Sequence, residues 1–327
     1  MTLLNKKANQ NDRISDLPSN VIDGILGNMK VRDQVRTSIL STKWRYMWTS
    51  APHFCFDDDF YQRFMDLNDP YPVMYKTITN VLMLHNGPIH KFSIYVSRHY
   101  EFNISMENLN KWIPFMSRDI KHLELVTHGP EKDQMPGILF SCKELTYFKV
   151  SSFNLSIPPN FCSFKKLLEL HLESCDEIES SALESFMSGC PILEKLTIGL
   201  CCGCDHLVIS SPSLKVLVLR WIDTKSICLK KANNLIDFTL TTYAGRGFTK
   251  SLPKIKRFSF AKWRKIPFPD IIPPTLLTSS FSSLEYLKVD YLNSNDKREM
   301  LYFVSVLKSA PKLIELDIKV NMNTYVS

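Results

Sequence analysis

Several clusters in the 327-residue chain carry side chains able to do chemistry. Glu169, His171 and Glu173 alternate along ELHLE, so on a strand all three share one face, where they could form an acid–base or metal set. The simpler reading is a solvated recognition patch. Cys201, Cys202, Cys204 and His206 offer four zinc-type ligands within six residues. Zinc sites usually draw ligand pairs from two separate segments, and adjacent residues cannot easily turn toward one tetrahedral ion. Cys175 in LLELHLESC and Cys201 in LEKLTIGLC also hold the same place in a recurring motif, where Cys or Asn commonly packs the turn. A structural role is expected, and no metal site. Asp57, Asp58 and Asp59 are adjacent carboxylates that point apart and read as a solvated helix start.

The fourth cluster is electrostatic. From Asp237 to Asp270 no acidic residue intervenes, while Arg246, Lys250, Lys254, Lys256, Arg257, Lys262, Arg264 and Lys265 supply eight positive charges, more than the +7 of the whole chain. Phe248, Phe258, Phe260, Trp263 and Phe268 lie among them. Basic residues interleaved with aromatics can bind single-stranded nucleic acid. Phe258 and Phe260, however, fall on inward positions of the motif described next and read as core. A patch for an acidic or phosphorylated partner, or a merely solvated surface, is what remains.

No P-loop, G-x-S-x-G, H-E-x-x-H or G-x-G-x-x-G occurs. Ten glycines in 327 residues, about 3% against a usual level near 7%, leave little material for phosphate cradles. The chain is read as non-catalytic, with no cofactor.

What must position these groups is a repeat. The segment L-x-x-L-x-L, with Ile, Val or Phe substituting, starts at Ile89, Ile120, Leu145, Leu167, Leu193, Leu214, Leu235, Ile255, Leu284 and Leu313. Most intervals match those of leucine-rich repeats. Each copy predicts one short strand, stacked into a curved solenoid with a parallel sheet on its concave side, so the fold class is α/β. SMENLNKWIPFM, SALESFMS and DKREMLYFVSVLKS have room for convex helices, the last with Met300, Phe303, Val304 and Leu307 at helical spacing. The shortest units have room only for extended connections.

Residues two, four and six past each start should face the concave surface. Tyr95, His122, Glu124, Tyr147, Lys149, Glu169, His171, Glu173, Lys195, Arg220, Asp237, Arg257, Tyr286 and Lys288 are the substrate-contact candidates. Their mixed signs argue for a folded protein or peptide ligand rather than a phosphate backbone, which would need repeated Lys and Arg.

At the amino end, Pro18 suits a first helical position, and Val21, Ile22, Ile25, Leu26 and Met29 follow at helical spacing. Val31, Val35, Ile39 and Leu40 repeat the pattern, and Trp44, Met47 and Trp48 predict a third helix. Three helices in about 40 residues are near the lower limit for folding alone, so apolar surface should be left for a neighbour to cover.

DRISDLPSNVIDGILGNMKVRDQVRTSILSTKWRYMWTS, residues 12–50, resembles an F-box of the plant type in its Leu-Pro, paired apolar residues, Arg-Thr-Ser and Trp-Arg before a second Trp. WIPFMSRDIKHLEL and VLMLHNGPIHKFSI resemble the plant F-box/FBD/LRR-repeat family, which extends the likeness over nearly the whole chain. The resemblance implies that Leu17, Pro18, Ile22, Ile25, Leu26, Val35, Ile39, Leu40 and Trp44 sit in or beside the interface with a Skp-type adaptor, some of them instead holding the helices together. It implies a substrate receptor of a Skp–cullin–F-box ubiquitin ligase whose solenoid holds a protein substrate. A scaffold for nucleic acid or an acidic partner, using residues 246–265, is the alternative. Lys30, where many relatives have Pro, and Thr42 with Lys43 depart from the pattern. Relatives often continue into an FBD domain, and this chain reads as a truncated or divergent copy with an exposed solenoid end.

The expected organisation is a lead-in over 1–11, F-box over 12–50, helical connector over 51–85, solenoid over 86–320 and tail over 321–327. Nine cysteines, no signal-peptide pattern and no apolar run of about 18 residues point to reduced thiols in the cytosol or nucleus.

Overall fold

Proline at position 18 has no N–H to lose, and its carbonyl accepts from Val21 and Ile22 at 3.0 and 3.1 Å to open helix α1 (Ser19–Gly27). Pro18 is therefore the residue before the helix rather than its first. The computed structural model describes residues 14, 16–97, 104–129, 133–158, 161, 163–175, 178, 180–201, 205–222, 224, 226–242, 254–262 and 281–320. Its contacts divide the chain into two compact units, Met1–Tyr95 and Val96–Ser327.

The first unit continues with α2 (Val31–Arg36), 3₁₀ turns Thr37–Ile39 and Trp44–Ser50, strand β1 (His53–Phe56), α3 (Asp58–Tyr61), α4 (Pro70–Leu84) and strand β2 (Lys91–Tyr95), which pairs in parallel with β1. The expected third α-helix is the 3₁₀ segment Trp44–Ser50. Its tighter winding still buries Trp44 and Trp48 and half-buries Met47. Asp57 caps α3 by accepting from the Phe60 N–H at 3.3 Å, so the acidic run does begin a helix. Lys30 pairs with Asp57 at 3.1 Å and with Asp59. The position that departs from the F-box pattern is thereby tied to the acidic run.

The second unit comprises α5 (Met106–Met116), β3 (His122–Val126), β4 (Asp133–Gln134), β5 (Tyr147–Ser151), β6 (Phe153–Asn154), β7 (Glu169–Glu173), α6 (Ser180–Ser188), β8 (Lys195–Gly199), β9 (His206–Ser210), β10 (Val216–Ile222), β11 (Ser226–Lys230), β12 (Asp237–Thr242), β13 (Arg257–Lys262), β14 (Tyr286–Leu292), α7 (Lys297–Lys308) and β15 (Glu315–Val320). One parallel sheet runs β3-β5-β7-β8-β10-β12-β13-β14-β15, one strand per repeat. The crossovers from β8 to β10 and from β10 to β12 contain the extended segments β9 and β11, which pair in parallel with each other outside the main sheet.

The motif's apolar positions form the core. From Ile89, Phe92 and Ile94 to Leu284, Leu287 and Val289 all are buried, and only in the last copy do Leu316 and Ile318 reach solvent. Helix α7 buries Glu299, Tyr302, Phe303 and Val306, so of the apolar set expected from spacing only Phe303 is buried and Val304 is exposed. Two sets one residue apart satisfy the same spacing, and polarity favours the wrong one. Glu299 can enter because its carboxylate accepts the Asn293 N–H at 3.0 Å.

Each strand of the sheet's middle part ends on the same backbone device. Ser152, Ser174, Leu200 and Trp221 follow equivalent register positions and all have φ between 52° and 64°. Ser152, Ser174 and Leu200 donate their N–H to the carbonyls of Glu173, Gly199 and Arg220 on the neighbouring strand at 2.8–3.1 Å. A left-handed turn that elsewhere favours glycine is met here by ordinary residues, three of them held by a hydrogen bond to the next repeat.

Candidate functional site

Two surfaces hold the residues singled out by sequence, one in each unit. On α1 the paired apolar residues separate by helical geometry: Ile22 and Leu26, four apart, are buried at 6% and 0% exposure, while Val21 and Ile25, also four apart, remain at 40% and 39%. Ile22, Leu26, Trp44 and Ala51 form a core cluster against which Leu17, Met29 and Met47 pack. Val35 is half-buried, Pro18 is exposed, and Ile39 and Leu40 stand at 80% and 62% exposure. The nine proposed adaptor positions thus separate into Ile22, Leu26 and Trp44, with Leu17 beside them, which hold the unit together; Pro18, Ile25, Ile39 and Leu40, which face solvent; and half-buried Val35 between the two sets.

The sequence places Val21 on the first helix but not among the adaptor positions, and Gln34 escapes the sequence reading. Val21 is exposed beside Ile25, and the signal for it was that four apolar residues in six exceed a single buried stripe. Gln34 is wholly buried, and its amide reaches the carbonyls of Leu26 at 2.8 Å, Met29 at 3.1 Å and His53 at 2.9 Å. Nothing local marks a glutamine as an interior staple.

In the second unit the parallel register places the substrate candidates in rows. His122, Tyr147, Glu169, Lys195, Val216, Asp237, Arg257, Tyr286 and Glu315 align across the sheet as one row, and Glu124, Lys149, His171, Thr197, Val218, Thr239, Ser259, Lys288 and Asp317 as the next. Glu173 and Arg220 share the row of Ser151 and Gly199. Tyr95 lies on β2 of the first unit and is 42% exposed.

Opposite charges meet within this face. Lys195 lies 3.0 Å from Glu169, Lys149 3.8 Å from Glu173, Arg257 3.5 Å from Asp237, and Lys288 2.7 Å from Asp317, while the His122 ring lies 2.8 Å from the Glu124 carboxylate. The His122 and Tyr147 rings stack at 4.0 Å with 2° between planes, and His171 follows 5.0 Å from Tyr147. Burial, then the nearby carboxylates of Glu124 and Glu169, pushes the Tyr147 phenol above its ordinary range, so it stays a neutral donor.

The Glu169, His171 and Glu173 trio is not an open acid–base pair. Each carboxylate is engaged by a lysine, His171 is buried, and burial lowers the His171 pKa against the opposing pull of Glu169. Among the described residues no three His, Cys, Asp or Glu side chains gather as a metal set. Cys202 and Cys204 lie outside the described residues. Cys201 is buried with Sγ 3.1 Å from the Gly199 carbonyl, Cys175 is buried with Sγ 3.6 Å from that of Glu173, and His206 bonds Ser226 at 2.7 Å. Both thiols bond the turn two residues back, at matching places in two repeats.

Of the basic stretch, Arg246, Lys250, Arg264 and Lys265, with Phe248, Trp263 and Phe268, lie outside the described residues. Lys256 pairs with Glu285 at 2.8 Å, and Arg257 lies 4.1 Å over the Tyr286 ring while pairing with Asp237. Phe258 and Phe260 are core.

The family description "F-box domain" matches residues 14–56, and "FBD-associated F-box protein At5g56370, LRR repeats" matches residues 109–259. F-box/FBD/LRR-repeat protein At1g13570 of Arabidopsis thaliana is 35% identical over 235 residues, covering 71% of this chain and 54% of that protein. The chain belongs to the plant F-box/LRR-repeat family. The putative F-box/FBD/LRR-repeat protein At1g66290 of the same plant is 28% identical over 292 residues, 88% of this chain and 56% of its own length. The chain therefore spans about half the length of these two relatives. The F-box match covers the exposed apolar side chains of α1 and the Thr37–Ile39 turn, and the LRR match covers the strand rows from β3 to β13 up to Ser259.

Proposed function

We propose that the chain is the substrate-binding subunit of a Skp–cullin–F-box ubiquitin ligase, acting in the cytosol or nucleus. Its F-box, residues 12–50, docks on a Skp-type adaptor, and its repeats, residues 86–320, hold a protein for modification by other subunits. The observation that carries this reading is an F-box match whose Ile25, Ile39 and Leu40 remain solvent-exposed after the core of Ile22, Leu26 and Trp44 is complete. Exposed apolar groups on a unit this small fit a surface that a partner covers.

The rows of alternating charge around His122, Tyr147 and His171 fit a folded protein or peptide as substrate. The chain has no bond-making role. It raises the local concentration of substrate lysines near a conjugating enzyme, so rigidity and spacing set the rate.

The test is capture of a purified Skp-type adaptor by the 327-residue chain. Ile39→Asp with Leu40→Asp should abolish capture while circular dichroism and the melting profile stay unchanged. Undiminished capture by this folded double variant overturns the assignment.

A further inference from the structure

The lysines and arginines on the concave rows of the second unit are paired with carboxylates, with one exception. Lys149 pairs with Glu173, Lys195 with Glu169, Arg257 with Asp237, Lys288 with Asp317 and Lys319 with Asp290. Arg220 on β10 is exposed, and among the described residues it has no carboxylate partner. Its register neighbours do not supply one. In its own row Arg220 stands between Gly199 on β8 and, across the bulge from Leu219 to Ile222, Thr241 on β12. Glu173, on the far side of Gly199, is already engaged by Lys149. The chain that continues from β12 carries no acidic residue before Asp270.

The same part of the face holds hydroxyls in want of a partner. Thr197 and Thr239 align with Val218 from either side, and alternation along the strands puts them, with Thr241, on the face that carries Arg220. Thr197 and Thr241 are buried at 4% and 9% exposure, and among the described residues none of the three hydroxyls makes a hydrogen bond. Gly199 leaves room beside the arginine: a Cβ there would lie 3.7 Å from the Arg220 Cβ and from the Glu173 Cγ. In the row before, Lys195 and Asp237 stand either side of Val216 and are neutralised by Glu169 and Arg257. The centre of the sheet is thus an uncharged trough with one unneutralised cation.

We propose that Arg220 receives a carboxylate, the side chain of an aspartate or glutamate in an acidic peptide segment of the substrate, and that Thr197, Thr239 and Thr241 donate to the same ligand. The inference rests on the reading of the second unit as the part that holds substrate. A guanidinium presents two parallel N–H groups to the two oxygens of a carboxylate. A buried hydroxyl with no partner gains an acceptor when that ligand arrives. Charge selects a carboxylate over a phosphoryl group. Arg220 neutralises one negative charge, whereas a phosphoryl dianion brings a second, for which the described residues of the trough hold no free cation. The paired lysines and arginines around it would have to give up a carboxylate to serve, so the anion is directed to Arg220.

An array of random-sequence peptides, each made with Asp, Asn, Lys or phosphoserine at its centre and probed with the labelled full chain, tests this. Peptides that are retained should be held about tenfold more tightly with Asp than with Asn. Arg220→Ala should erase that difference, and Arg220→Glu should move the preference to Lys. That reversal separates a changed subsite from a broken fold. No peptide that prefers Asp to Asn, a preference that survives Arg220→Ala, or tighter retention of phosphoserine than of Asp overturns the proposal. Adaptor capture is measured on the same proteins. Absence of the Asp preference with capture intact removes this subsite alone, and absence of capture with the Asp preference intact removes the ligase reading alone.

Discussion

Gln34 donates from its side-chain amide to the His53 carbonyl at 2.9 Å, joining α2 to the start of β1 through the interior of the first unit. The same amide serves Leu26 and Met29 at the end of α1, so one side chain satisfies three carbonyls from two segments. Replacing Gln34 by Leu keeps similar bulk but leaves these carbonyls without their donor. The expected loss is about 1–3 kcal/mol of stability, read as a lower urea midpoint with an unchanged slope. A midpoint equal to that of the unaltered chain would show the bonds to be dispensable.

Lys231 follows β11 with φ 55° and an exposed side chain. Glycine occupies that conformation without a Cβ penalty, although it gives up more freedom on folding. Lys231→Gly should therefore raise stability by up to about 1 kcal/mol. At half-buried Leu200, also left-handed, the same exchange should fall short of that gain because packing is lost with the side chain. Comparing the two thermal midpoints checks the argument.

His85 and His171 are both held below the ordinary imidazole value of 6.5. Burial is the main cause for each, opposed by a backbone contact from Gly87 at His85 and by Glu169 at His171. The His85 ring packs edge-on against Phe54 at 5.0 Å. Below pH 6.5 the unfolded chain binds protons that these folded rings resist, so stability is full above 6.5 and falls as acid is added toward the folded values. His85→Phe should flatten its share of that slope between about pH 7.5 and about pH 5.5, measured by urea unfolding. An unchanged slope would remove His85 from the titration.

Arg257 is engaged inside the sheet by Asp237 and Tyr286. Arg257→Ala should cost roughly 0.5–1 kcal/mol, an exposed pair and one cation–π contact being worth little more. Nucleic-acid binding through this stretch would instead show as affinity that falls steeply with salt and is lost on neutralising Lys254, Lys256 and Arg257. The expected result of a salt titration with single-stranded oligonucleotide is no such loss.

The sequence by itself determined the repeat. Spacing of Leu, Ile, Val and Phe predicted the strands from Lys91 to Val320, and the buried motif positions from Ile89 to Val289 follow it, because a parallel sheet covered on one face demands apolar residues at that period. It also marked the F-box through Leu17, Pro18 and Trp44, and the turn role of Cys175 and Cys201. Tertiary structure alone decided which of two equally spaced sets faces inward. It buried Ile22 and Leu26 but exposed Val21 and Ile25, placed Glu299 in the interior, and left Leu316 and Ile318 in water. Periodicity states that a face exists, whereas burial depends on what lies opposite. For the same reason the charge of residues 246–265 could be counted from the chain, but the engagement of Arg257 by Asp237 and Tyr286 required neighbouring strands, 20 and 29 residues away, to be brought side by side.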